Sequence, residues 1–194
     1  SMHAKHHFNA RLLSGYSHET LEEIYADSAR IESETGINVT NVENIFAVIR
    51  HPYDLELSNY AFFRNGRKNV LRGSAFQVSH ILDKVELAQG SVREFVERSG
   101  YFRGDNSGRG YRTEDYFRIC GEIPDNVTLL RFENLEEEFP LAMAPFLAEK
   151  KMEFPHSNKS APGEGISMDE LDGPTKIAIY KKHRWLFDEG YYQR

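Results

Sequence analysis

The sequence predicts an α/β protein, a parallel sheet with helices packed on its faces. Two observations carry the prediction. Ile45–Ile49 is a continuous apolar run of strand length, and it leads through Arg50 into Pro52 and a helical pattern. Val127–Leu130, three apolar residues and a threonine, is a second strand-like stretch, and it again leads into a helical stretch. Strands alternating with helices in this way imply parallel pairing, because each crossover carries a helix.

The elements follow in order. Arg11–Leu13 reads as a short strand ending at Ser14-Gly15. Residues 19–34, rich in Glu, Ala, Leu and Ile, read as a helix stopped by Gly36. Strand 45–49 is followed by a helix over 52–64, with Pro52 in its first turn and the Asn65-Gly66 turn signal at its end. Apolar spacing at Phe76, Val78, Ile81, Leu82 and Val85 predicts a helix over 75–87. Ser91 with Glu94 three residues on is a capping box for the next helix. Gly104–Gly110 is the most polar stretch and reads as a surface loop. Residues 113–119 have a helical look, and strand 127–132 comes next. Asn134 is the expected N-cap of a helix over 135–149, in which Pro140 kinks or delays the start. A Pro/Gly/Ser-containing loop over 155–167 precedes a last helix over about 169–188. Ile177, Tyr180, Phe187 and Tyr191 are expected on one face of that helix, with Trp185 packing it onto the sheet.

Composition bounds the function. At 194 residues, 40% apolar and 28% charged, the chain suits a single globular domain over 1–194. A net charge of −6 argues against a nucleic-acid partner held on a broad basic face. Cys120 is the only cysteine, so no intrachain disulfide can form, which suits a reducing compartment. No signal peptide and no apolar run of membrane-spanning length is visible. A cytoplasmic location without a membrane partner is therefore expected. Ser1 reads as an expression scar ahead of Met2.

Arg50 is placed at the carboxyl end of a strand, where α/β sheets bind ligands. Ser58 falls two turns into the following helix, so guanidinium and hydroxyl can converge on one phosphate. The competing reading pairs Arg50 with Asp54 as a structural contact. The pattern of apolar strand, Arg50, Pro52, Asp54 and Ser58 resembles the 3′-phosphate-binding motif of sulfotransferases that use 3′-phosphoadenosine 5′-phosphosulfate (PAPS). Arg131-Phe132-Glu133-Asn134-Leu135 is similar to that family's later strand end. Asn158-Lys159-Ser160 and the stretch Tyr180–Tyr191 resemble the loop and final helix of its carbohydrate-directed branch. Val92–Val96 followed by Tyr116-Phe117 is a weaker match.

The resemblance implies a P-loop-kinase-like sulfotransferase fold, PAPS as co-substrate, a hydroxyl acceptor of carbohydrate type, and no metal. It assigns Arg50 and Ser58 to the donor, with Lys159 and Ser160 contacting donor or acceptor; an ordinary loop lysine is the plain alternative for Lys159. The family's catalytic histidine position holds Tyr16, which leaves His18 as the candidate base, against a solvent-exposed histidine near a helix start. The family's first strand and its Pro-Lys-x-Gly-Thr-Thr loop have no counterpart here. One expectation is that they lie upstream of Met2; the other is a non-catalytic binding module on the same scaffold. A kinase reading lacks both a Walker loop and a metal-holding carboxylate. His3, His6 and His7 read as an incidental basic tail, and Arg64, Arg67, Lys68 and Arg72 as a basic cluster that is either solvated or anion-binding.

Overall fold

A computed structural model of the chain describes residues 20–70, 79–100, 112–146 and 166–194, with 67–70 and 79–81 as helical backbone alone. The expected strand at 11–13, His18, the histidine cluster, the 104–110 loop and Lys159-Ser160 lie outside the described residues. Eight α-helices and a two-stranded parallel sheet make up the rest.

Thr20 opens the first helix, α1 (Leu21–Ala26), with a reciprocal capping box: its hydroxyl accepts from the Glu23 amide, and the Glu23 carboxylate accepts from its own amide. A turn residue, Asp27, separates α1 from α2 (Ser28–Thr35), so the single helix expected over 19–34 is two short ones. The Asp27 carboxylate is held by Arg30, at 2.6 Å. Gly36 ends α2 at φ 74, a left-handed conformation costly for a residue with a Cβ.

Strand β1 (Ile45–Ile49) has the expected bounds and pairs in parallel with β2 (Val127–Arg131). Ile45 aligns with Val127 and Ile49 with Arg131, so the carboxyl ends of the strands finish side by side. Among the described residues the crossover between them carries three α-helices, α3 (Pro52–Val70), α4 (Ser79–Leu87) and α5 (Val92–Arg98). Helix α3 runs straight through Asn65-Gly66, where the sequence suggested a stop. Gly66 is on the buried side of α3. A helical glycine costs about 1 kcal/mol against alanine, which packing can outweigh. Ser91 caps α5 by accepting from the Glu94 amide at 3.1 Å.

Residues 113–116 form a short 3-10 turn rather than an α-helix. A tight turn, Ile119–Glu122, follows, with Cys120 at φ 51 and Gly121 at φ 87. After β2 comes another 3-10 turn (Phe132–Asn134) and α6 (Leu135–Met143), which contains Pro140 and stops short of 149. Asn134 holds the N-cap position without capping: its side-chain amide donates to Glu138 instead, at 3.2 Å. The last helix is broken into α7 (Gly173–Lys182), capped by Asp172, and α8 (Arg184–Asp188). The break at His183 shifts the helical phase. Ile177 is 56% exposed, against expectation, because within α7 it lies opposite Thr175 and Ile179, which are buried, as is Phe187.

Helix α3 is the centre of the packing. Tyr60 and Phe63 meet Val85, Ala88 and Phe95 from α4 and α5, and Leu57 meets Val96, Leu171 and Ile179. Trp185 and Leu186 pack against Ile49 beneath the sheet, as expected of Trp185. Burying each of these large side chains contributes about 1.5–3 kcal/mol.

Candidate functional site

The site is built where β1 and β2 end. Pro52 fixes the first turn of α3 directly after β1, so Arg50 lies at the strand end and its side chain runs beside that turn. Arg50 Nε donates to the Asp54 carboxylate, and Nη1 donates to Ser58 Oγ at 3.2 Å. The guanidinium lies over the Phe132 ring, 4.6 Å from its centroid, on the neighbouring strand end. Asp54 and Ser58 are one helical turn apart and share a face, which is why one guanidinium meets both. Arg50 thus meets Asp54, its partner in the structural reading, and Ser58, the hydroxyl named beside it in the phosphate reading. The Nη2 amino group has no protein partner among the described residues, and the side chain is 29% exposed. A planar cation held by a carboxylate and a ring, with donors left over, is suited to an anionic oxygen.

Glu133 ties the strand ends together. One carboxylate oxygen accepts from the His51 amide at 2.7 Å, and the other accepts from the Tyr192 hydroxyl at 2.9 Å. Both of its oxygens are thereby used in hydrogen bonds that join separate segments. Burial, then the bond to Glu133, holds the Tyr192 phenol well above its usual range, so it stays a donor. His51 sits among Tyr53, Tyr192 and Phe187, with ring centroids 4.9 Å from Tyr192 and 5.1 Å from Tyr53. Burial holds its pKa below the ordinary value, against the pull of Glu133 and Asp54. Its Nδ1 accepts from the Tyr53 amide, leaving the proton of the neutral ring on Nε2. Nothing in the local sequence distinguishes His51 from a loop histidine.

A second polar cluster lies on another face of α3. Glu56, 1% exposed, accepts from His183 Nε2 at 2.6 Å and from Lys182 Nζ at 3.1 Å. The His183 Nδ1 meets Thr113 Oγ1 at 3.0 Å, and Trp185 Nε1 donates to the same oxygen at 3.2 Å. Burial pushes the Glu56 carboxyl up, but the hydrogen bond from His183 and the charge of Lys182 outweigh it, and its pKa is low. The Thr113 hydrogen is directed to the imidazole and its oxygen takes the indole N–H, so the chain of bonds fixes His183 rather than presenting a nucleophile. Sequence reasoning missed this cluster, whose members are far apart in the chain.

Of the remaining candidates, Arg64 donates to the Tyr60 hydroxyl at 2.6 Å and lies over the Tyr60 ring. It is therefore committed to α3 itself. Arg72 and the side chains of Arg67 and Lys68 lie outside the described residues, as do His18, Lys159 and Ser160. Among the described residues there is no group of three His, Cys, Asp or Glu side chains that could hold a metal ion, and no helix long and apolar enough to cross a membrane. Comparison with protein-family models, with curated proteins and with solved structures finds no match to this chain.

Proposed function

We propose that this chain binds 3′-phosphorylated adenine nucleotide at the carboxyl ends of its strands and acts as a PAPS-dependent sulfotransferase on a hydroxyl acceptor, of carbohydrate type. The observation that carries the reading is the convergence of Arg50 and Ser58, 3.2 Å apart, at the end of a parallel strand. That is where the resemblance puts the 3′-phosphate grip and where open α/β sheets bind ligands. Arg50 would supply a charged fork and Ser58 a hydroxyl, while Asp54 and Phe132 hold the fork in place. His18 remains the proposed base, and Lys159 with Ser160 the proposed further donor contacts.

The test compares adenosine 3′,5′-bisphosphate (PAP) with adenosine 5′-phosphate by calorimetry. Arg50→Ala should weaken PAP by about 1.5–3 kcal/mol, a charge-assisted bond, or roughly ten- to a hundredfold. Adenosine 5′-phosphate, lacking the 3′-phosphate, should change little. Arg50→Lys should recover part of the loss, since an ammonium cannot reproduce the planar fork. An unchanged ratio of the two affinities would remove the reading and leave Arg50 as a structural partner of Asp54.

A second reading is a non-catalytic module that binds the nucleotide. Within these residues no Lys-x-Gly-Thr-Thr loop is present to neutralise the bridging oxygen. PAP binding without sulfuryl transfer from PAPS to any hydroxyl acceptor would select it.

A further inference from the structure

The ladder between β1 and β2 ends at the pair Ile49 and Arg131. Arg50 and Phe132, which make the cation–ring contact, come one place later on each strand. Past the ladder a backbone amide must find another acceptor or water. The Arg131 amide finds Glu138, at 2.7 Å, as β2 leaves the sheet. The His51 amide finds the Glu133 carboxylate, also at 2.7 Å. Arg50 and Phe132 are thereby bracketed, with the last ladder pair on one side and the His51–Glu133 bond on the other.

Glu133 is itself anchored. Its second oxygen accepts from the Tyr192 hydroxyl at 2.9 Å. Tyr192 is fixed by its own amide, which donates to the Leu186 carbonyl at 3.0 Å, and Leu186 packs against Ile49 at the end of β1. Neither oxygen of Glu133 bonds to Arg50, which pairs with Asp54 instead. The carboxylate therefore holds the strand ends without occupying the guanidinium. Hydrogen bonds weaken steeply as donor and acceptor move off line, so the place of the fork decides what it can grip.

We propose that Glu133 is a positioning residue for the strand-end grip: its bond to the His51 amide sets where the Arg50 fork stands, and so sets the preference for a nucleotide with a 3′-phosphate over one without. The inference rests on the nucleotide reading above and adds a residue outside the Arg50, Asp54 and Ser58 contacts. The charge of Glu133 acts with the opposite sign. A carboxylate near the grip repels phosphate, so removing the charge alone would strengthen PAP binding. The test therefore holds the charge change constant and varies the hydrogen bond.

The deciding pair is Glu133→Ala and Glu133→Gln, which lose the same charge and differ in the bonds kept. Glutamine can still accept from the His51 amide and can donate its amide N–H to the Tyr192 hydroxyl. PAP and adenosine 5′-phosphate are titrated by calorimetry into the wild-type chain, both variants and Arg50→Ala. The preference for PAP should be about three- to tenfold lower in Glu133→Ala than in Glu133→Gln, the worth of one hydrogen bond and less than the loss in Arg50→Ala. Adenosine 5′-phosphate should bind the two Glu133 variants alike. Without nucleotide, hydrogen exchange at the His51 amide should be faster in Glu133→Ala than in Glu133→Gln. Thr20→Ala, a cap lost on α1, should lower stability and leave the preference as it is. Tyr192→Phe keeps both charge and ring and should lower the preference by less, which covers the case of a Glu133→Ala chain that does not fold. An equal preference in the Glu133 pair, with the preference still lost in Arg50→Ala, would overturn this inference alone. Equal exchange of the His51 amide in that pair would overturn the tie itself. A wild-type chain with no preference for PAP would remove the nucleotide reading and this inference with it.

Discussion

Replacing Glu56 by alanine should be among the most damaging single changes in α3. The carboxylate is buried and accepts from both His183 and Lys182. Those partners are themselves buried, with side chains 3% and 11% exposed. Truncation therefore leaves the imidazole N–H without its acceptor in a dry site, and takes the counter-charge from an ammonium that keeps Ser99 Oγ at 3.4 Å. Breaking a buried pair by removing one partner costs about 3–5 kcal/mol, because the charge left behind is uncompensated. For a chain of this size about 1 kcal/mol lowers the midpoint by about 2–4 °C, so the melting temperature should fall by roughly 6–20 °C. Chemical denaturation at pH 7 gives the free energy directly. Glu56→Gln keeps an acceptor and should cost less. Adding Lys182→Met to Glu56→Ala should restore part of the loss, since the orphaned charge is gone. Acid adds a further check. The folded pKa is below the unfolded one, so this stabilisation is full above the unfolded value near 4.5 and is lost as pH falls through the lower folded value. A loss below about 1 kcal/mol for Glu56→Ala, with no rescue by the second change, would refute the argument.

Burial pushes the Lys84 ammonium down to about 8, with the Lys182 charge acting in the same direction. Stability should then rise with pH between about 8 and the usual lysine value near 10.5, where the unfolded chain binds more protons, and Lys84→Met should remove that slope in urea titrations across the range. Thr20→Ala should cost about 1 kcal/mol by removing half of the capping box, read as a shift of the urea midpoint. Gly36→Ala should cost a similar amount, about 1 kcal/mol. An added Cβ meets nothing within 4 Å, so that penalty is backbone strain at φ 74, and Gly36→Val should cost more, since a β-branch disfavours that conformation further, measured the same way.

The parts legible in the sequence are those decided over a few neighbouring residues. Ile45–Ile49 is apolar throughout and stops at Arg-x-Pro, and its bounds come out as expected. Arg50, Asp54 and Ser58 are spaced so that a helix brings them to one side, and they do meet. What was misread depends on distant contacts. Asn65-Gly66 has turn chemistry, yet Gly66 lies on the buried side of α3, and packing carries the helix through. The last helix shows no breaker at His183. It breaks there beside a buried carboxylate 127 residues away, a partner no local window contains. Ile177 was expected on the wrong face of α7, whose buried stripe is Thr175 and Ile179. Asn134 resembles a cap in sequence, but Glu138 is close enough to draw its amide away.

The parallel pairing of β1 with β2 bears on how the chain reaches its fold. Contacts at the strand ends join residues 82 positions apart, and the Glu56–His183 bond joins residues 127 apart. Neither can form until a long loop has closed, and that entropy is spent before the contact returns anything. The helices α3, α4 and α5 follow one another in sequence and share the Tyr60–Phe95 cluster, so they can assemble early and locally. The sheet, and with it the seat of Arg50 against Phe132, is therefore expected to form in the last and slowest step. In a stopped-flow experiment, helical ellipticity should recover ahead of Trp185 fluorescence, because that indole acquires its surroundings only when the sheet and the carboxyl-terminal helices come together.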